Sequence, residues 1–160
     1  GIAELARGYE LLIGDSAAGI GPDVLAAASA ADLVVLVTTP DPTALTDAYG
    51  LVKALHAHAE AHGLEVPTPE LLVNLADGPD EAQAVAAKLR TVCERFLARS
   101  PRLAGWLPRA AAIRSACRDQ RPIPQCDRNS LIQHCLRQLS SRIERCSKAP
   151  GGPRAALLKG

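Results

Sequence analysis

The sequence predicts an α/β fold, a mostly parallel sheet with helices on both faces, from three observations. The run "LVVLV" at 33–37 is unbroken, apolar and rich in β-branched residues, as a strand covered on both faces should be. Residues 79–98 carry Ala82, Val85, Ala86, Leu89, Val92, Cys93, Phe96 and Leu97 on one helical stripe. Strand-like and helix-like stretches then alternate along the chain, which is the signature of strands joined by helical crossovers.

The elements follow in order. "YELLIG" at 9–14 reads as a short buried strand that delivers Asp15 at its end. Pro22 suits the first turn of a helix over 22–31. The strand at 33–37 comes next. A helix over 43–62 follows, with apolar positions 45, 48, 49, 52, 55 and 59. The polar connection "HGLEVPTPE" leads to "ELLVN" at 70–74, a third strand. Pro79 opens the helix over 79–98, with Asp77 as its cap. "LAGWLP" at 103–108 is a fourth strand, stopped by Pro108. A short helix over 110–119 and a longer one over 130–146 complete the pattern. The last has Leu131, Ile132, Cys135, Leu136, Leu139 and Ile143 on one side. Residues 1–148 thus read as one domain, and "KAPGGPR" introduces a flexible tail over 149–160.

Composition limits the function classes. The 160 residues are 48% hydrophobic, enough for a sizeable core and too apolar for a disordered chain. Aromatics are 2%, so Leu, Val, Ile and Ala must build that core. A net charge of +1 gives no global argument for nucleic acid or an anionic surface. Five cysteines at 93, 117, 126, 135 and 146 form no C-x-x-C pair, and their odd number and irregular spacing suit reduced thiols in the cytoplasm. No apolar run reaches the ~18 residues of a membrane-spanning helix. The chain opens on Gly1 in what reads like the middle of a domain, so a fragment of a longer protein is expected.

In open parallel sheets, ligands bind at the carboxyl ends of strands. That rule selects Asp15, Thr38 to Asp41, Asn74 and Pro108 to Ala110. A carboxylate at a strand end beside Gly19 suits Mg²⁺, a hard cation with oxygen ligands, while the glycine lets a loop approach a phosphate. The local pattern also allows Asp15 to cap the helix near Pro22 or simply to end the strand. His56, His58 and His62 cluster on one helix, but no third ligand accompanies them, and a polar helix end is the better reading. The basic residues Arg137, Arg142, Arg145 and Lys148 flank the stripe of the last helix. Such a helix can lie on an anionic membrane. Its lack of aromatic anchors and the width of its stripe favour packing on the sheet.

Four stretches carry a family likeness: "LLIGDSAAGI", "LVVLVTTPDPTALTDAYGLVKAL", "LLVNLADGPDEAQAVAAKLRTVCERFL" and "LAGWLPRAAAIRSACRDQRPI". Together, over about residues 9–145, they resemble the MinD/ParA family of deviant P-loop ATPases, most closely its flagellar-number regulators of the FlhG/FleN type. The resemblance implies that Asp15 helps hold Mg²⁺ through water and that Ser16 to Ile20, pivoting on Gly19, sense the γ-phosphate. It implies that Asn74 reads the adenine edge, and that Pro108 and Arg109 line the adenine and ribose. Asp41 and Asp47 fall on the face turned to a dimer mate or partner. The complete protein would bind ATP and Mg²⁺, form an ATP-dependent homodimer, meet a flagellar or polar partner and associate with the inner face of the cell membrane. No specific nucleic acid is implied; a chromosome- or plasmid-partitioning ATPase would want a basic surface that the near-neutral charge does not offer.

The sequence also departs from the family. The phosphate loop K-G-G-x-G-K-[ST] is absent, and "APGGPRAALLKG" has the wrong place and spacing to replace it. Ala110 stands where the family commonly has an acid, and Gly14 where it has a bulky apolar residue. Without the loop's amides and lysine, phosphoryl transfer loses its main electrostatic stabilisation. The expectation is the carboxyl half of an ATPase whose loop lies upstream of Gly1, with a catalytically dead, partner-binding relative as the alternative.

Overall fold

In the computed structural model, residues 9–122, 130–148 and 155–159 are described. Five strands form one parallel sheet: β1 (Leu12–Ser16), β2 (Leu33–Thr38), β3 (Glu70–Ala76), β4 (Leu103–Pro108) and β5 (Ala155–Lys159). Their spatial order is β1-β5-β2-β3-β4. The helices are α1 (Pro22–Ala30), α2 (Pro42–His62), α3 (Pro79–Leu97), α4 (Ala111–Arg118) and α5 (Leu131–Lys148). The expected fold class holds, with helices on both faces.

Alternation within the strands sorts the core into two layers. Val34 and Leu36 of β2, with Leu71 and Val73 of β3, face α1, α2 and α3, where Leu51, Val52, Leu55, Ala86 and Leu89 meet them. Leu33, Val35 and Leu72 point to the opposite face and pack on Leu139 and Ile143 of α5. β2 is therefore buried on both sides, which is why its sequence shows no polar alternation. Successive crossovers carry the chain from β1 through β2 and β3 to β4, and the return to β5 follows α5 on the other face.

Helix ends follow local chemistry. Asp41 caps α2, its Oδ1 accepting from the backbone N–H of Thr43 (2.7 Å) and Ala44 (3.4 Å). Gly63 closes α2 in the left-handed region, its N–H donating to the last-turn carbonyls. Asp77 does not cap α3 as expected. Gly78 occupies the cap position without a side-chain bond, and Glu81 reaches back instead to accept from the Asp77 N–H at 2.7 Å.

Three expectations change. β1 runs from 12 to 16, not 9 to 14, so Asp15 lies inside the strand and is exposed. β1 is an edge strand, and Ile13 beside it is 51% exposed, so no burial penalty falls on the carboxylate. β3 continues to Ala76, which places Asn74 within it rather than at its end. The third change concerns the tail expected over 149–160. Ala155–Lys159 form β5 and occupy the sheet interior, with Leu158 aligned to both Asp15 and Val35. Interior strands recruit short apolar runs, and "AALLK" is one.

Candidate functional site at the carboxyl edge of the sheet

Because all five strands are parallel, their carboxyl ends share one edge, and the order of connections reverses at β5. Ligand crevices form at such reversals. Here a cleft of ≈ 580 Å³ opens between the loop after β1 and the first turns of α2. Ala18, Gly19 and Ile20 form one wall; Thr46, Asp47 and Gly50 of α2 belong to the other. Leu36 and Thr38 at the end of β2 also line it. β5 ends beside it in register, Lys159 aligning with Ser16 on one side and Leu36 on the other.

The loop wall depends on Gly19. Its φ of +106° is in the region that L side chains rarely adopt, whereas an added Cβ would meet nothing within 4 Å. The requirement for glycine is thus conformational, not steric. Residues 17–21 are all exposed, and Ile20 is 56% exposed. Ser16 is half-buried, its hydroxyl donating to the Ala17 carbonyl at 3.5 Å. Thr38 is 4% exposed and its hydroxyl has no hydrogen-bond partner among the described residues. A buried hydroxyl left unpaired costs roughly 1–3 kcal/mol, so Thr38 offers this cleft a donor and acceptor that the fold itself does not use. Asp47 is exposed at the cleft; Asp41, also exposed, spends its carboxylate on the α2 cap.

Farther along the edge, the ends of β3 and β4 are tied together. Asn74 Oδ1 accepts from the Leu75 N–H at 2.9 Å, and Leu75 takes a φ of +57°, unusual for a leucine. The Arg109 guanidinium donates to the Leu75 carbonyl at 3.3 Å and stands 3.5 Å from the Asp77 carboxylate. The Arg109 N–H donates to the Ala76 carbonyl at 3.1 Å. Pro108 is buried at the end of β4 and directs Arg109 outward. With its oxygen committed to the backbone, Asn74 keeps its amide nitrogen as a donor. The sequence reading missed Leu75 and the Asp77–Arg109 pair. A positive φ at a leucine has no local signature, and a contact between residues 77 and 109 exists only once β3 and β4 are adjacent.

The predicted residues therefore fall in two groups. Gly19 and Asp47 line the cleft, and Asp15 and Ser16 end the strand that leads into its loop wall. Asn74, Pro108 and Arg109 form a ledge at the β3–β4 end. The donor set fits the metal-proximal and base-proximal parts of a nucleotide site. It does not fit the phosphates: among residues whose side chains are described, no lysine lines the cleft.

The remaining candidates are inert or structural. His58 and His62 stack at 4.3 Å, His62 Nδ1 lies 2.8 Å from the His58 carbonyl, and no metal-binding trio occurs among the described residues. Burial, with the Glu94 charge adding to it, pushes the Cys93 thiol up to about 11, which keeps it protonated and unreactive. No described helix is long and apolar enough to cross a membrane.

No family model matches the chain. Among curated proteins it is 30% identical over 155 residues to the antiactivator FleN of Pseudomonas aeruginosa, covering 97% of this chain and 53% of the relative. It is 26% identical over 135 residues to the flagellum site-determining protein YlxH of Helicobacter pylori, covering 84% of this chain and 44% of the relative. The chain spans about half the length of the curated relatives it matches. Over most of its length the chain is similar in sequence to part of these two proteins, and its parallel sheet flanked by helices is an α/β fold compatible with a P-loop NTPase-like domain.

Proposed function

We propose that this chain is the partner-facing and base-binding part of an ATP-dependent switch that regulates flagellar number or placement in the cytoplasm. The observation that carries the reading is the shared carboxyl edge, along which four different strands present the Asp15–Ile20 segment, Thr38, Asn74 and Arg109. In this reading Asn74 donates to the base edge, Arg109 holds the ledge in place, and Asp15 with its neighbours holds Mg²⁺ through water. Bound Mg²⁺ supplies positive charge at the phosphates. The Ser16–Ile20 loop transmits occupancy to the face of α2 that carries Asp41 and Asp47, where a dimer mate or flagellar partner docks. Membrane association belongs to the complete protein in the same reading.

Because no described side chain cradles the phosphates, this chain alone is not hydrolytic. The test is a titration of the chain with ADP and ATP, with and without Mg²⁺, followed by amide chemical shifts. The expected result is weak binding that perturbs residues 74–77 and 109, with no Mg²⁺-dependent tightening. Tight Mg²⁺-dependent binding would show that the absent loop is dispensable. Shifts confined to other surfaces would remove the edge as a nucleotide site. The exposed α2 face also supports the second reading, a nucleotide-independent partner module. Co-purification of a flagellar protein with the nucleotide-free chain, lost in Asp47→Lys, distinguishes it.

A further inference from the structure

A second groove lies on the other face of the sheet, between α5 and β4, with a volume of ≈ 690 Å³. Ala104 forms part of its floor, and His134, Arg137, Ser141, Arg142 and Arg145 project from α5. It sits toward the amino ends of the strands: Ala104 is the second residue of β4, and Arg142 reaches Glu70, the first of β3. It is therefore remote from the edge that carries Asp15, Asn74 and Arg109.

The cations of this groove are not equivalent. Arg142 is committed, its Nε and Nη2 donating to the two Glu70 oxygens at 2.7 and 2.8 Å. Arg137 Nε donates to the Gln133 carbonyl at 3.2 Å, which fixes the plane of its guanidinium. Arg145 is exposed and has no hydrogen bond or ion pair to another described residue. Among the described residues no carboxylate lines the groove, the Glu70 carboxylate being held behind Arg142. The run from His134 to Arg145 extends about 16 Å along the helix, and Arg137 and Arg145 are about 12 Å apart along it. A planar guanidinium offers paired donors that match the oxygens of a phosphate, and an exposed hydroxyl such as Ser141 adds a further donor. Among the described residues its one ring is the His134 imidazole, with no Phe, Tyr or Trp beside it, so it lacks the row of stacking platforms that single-stranded nucleic acid uses.

We propose that this groove binds a phosphate-bearing anion, with Arg137 and Arg145 as the recognising residues and Ser141 and His134 completing the donor set. The proposal is independent of the nucleotide reading, since it uses the opposite end of the sheet. The chain's net charge of +1 conceals it, because α5 gathers Arg137, Arg142, Arg145 and Lys148 against a single acid, Glu144.

The test titrates the chain with inorganic pyrophosphate and, separately, with vesicles of phosphatidylglycerol or of phosphatidylcholine. Arg145→Gln, Arg145→Lys and the double variant Arg137→Gln/Arg145→Gln are compared with the unaltered chain, and melting curves check that each is folded. Pyrophosphate binding with shifts along α5, weakened about ten-fold by Arg145→Gln and less by Arg145→Lys, supports a soluble phosphate ligand. Binding to phosphatidylglycerol vesicles alone, with the same dependence on the variants, supports the groove and makes a lipid headgroup the source. Binding of neither probe, or binding that the folded double variant retains in full, overturns the proposal.

Discussion

Two residues show how local conformation and burial set the behaviour of single positions. Ala98 ends α3 at a φ of +49°, the left-handed region in which glycine is at ease and alanine is strained. Ala98→Gly is expected to raise stability by about 0.5–1 kcal/mol in urea unfolding, since its exposed side chain makes no core contribution to lose. Cys93 is fully buried, and its thiol is pushed from 9.0 to about 11. Its raised value means that the folded state holds the proton more tightly than the unfolded chain. Its contribution to stability is complete below pH 9 and is lost as pH rises from 9 toward 11. Cys93→Ala should flatten that alkaline decline in pH-dependent melting, and a decline of unchanged slope would assign it to other groups. Asp15 makes the opposite point. Its identity was legible in the sequence, but its exposure follows from the position of β1 at the sheet edge.

At the level of elements, α5 and β5 differ most from what local pattern alone would suggest. The apolar stripe of α5 was legible, and Ile132, Cys135, Leu139 and Ile143 are buried as expected of a sheet-facing helix. Arg142 fastens the helix whereas Arg137 and Arg145 are exposed, and no spacing rule separates Arg142 from Arg145. Arg142→Ala leaves Glu70, with a side chain only 17% exposed, without its partner. A loss of about 2 kcal/mol is expected in urea unfolding, in line with charge-assisted hydrogen bonds in a part-buried setting. Arg145→Gln should change stability by less than about 0.5 kcal/mol, as surface substitutions do. β5 was read as tail because "KAPGGPR" looks like a linker and five residues are too few to show a period. Ending the chain at Lys148 removes the strand that pairs with both β1 and β2. The melting midpoint should fall by about 5 °C or more, roughly 2 kcal/mol at this length. An unchanged midpoint would mean that the strand contributes nothing to the fold.

At the scale of the whole molecule, the parallel arrangement makes the candidate site. Four strands that are far apart in sequence bring their carboxyl ends to one edge, and the return path over the opposite face creates the reversal at β5. The same arrangement isolates the α5 groove at the other end, so the chain presents two chemically distinct surfaces, one with an acid at its rim and one basic. The strand and helix order was legible because buried parallel strands and amphipathic helices have unlike periods. The nucleotide-edge residues were legible as strand-end positions and by their family likeness. Leu75, the Asp77–Arg109 pair and the unpaired Thr38 hydroxyl were not, because each is defined by a neighbour supplied from another strand or helix.

The sequence by itself determined the α/β class, the identity of four strands and five helices, and the candidates Asp15, Gly19, Asn74 and Arg109. Those follow from short-range chemistry: apolar periodicity, proline and glycine punctuation, and polar residues placed where strands stop. Only the tertiary structure decided that Asp15 is solvent-exposed, that Ala155–Lys159 enter the sheet, and that Arg142 is paired with Glu70 while Arg145 has no partner among the described residues. Burial, pairing and strand insertion depend on which distant segments become neighbours, and that information resides in packing rather than in any local run of residues.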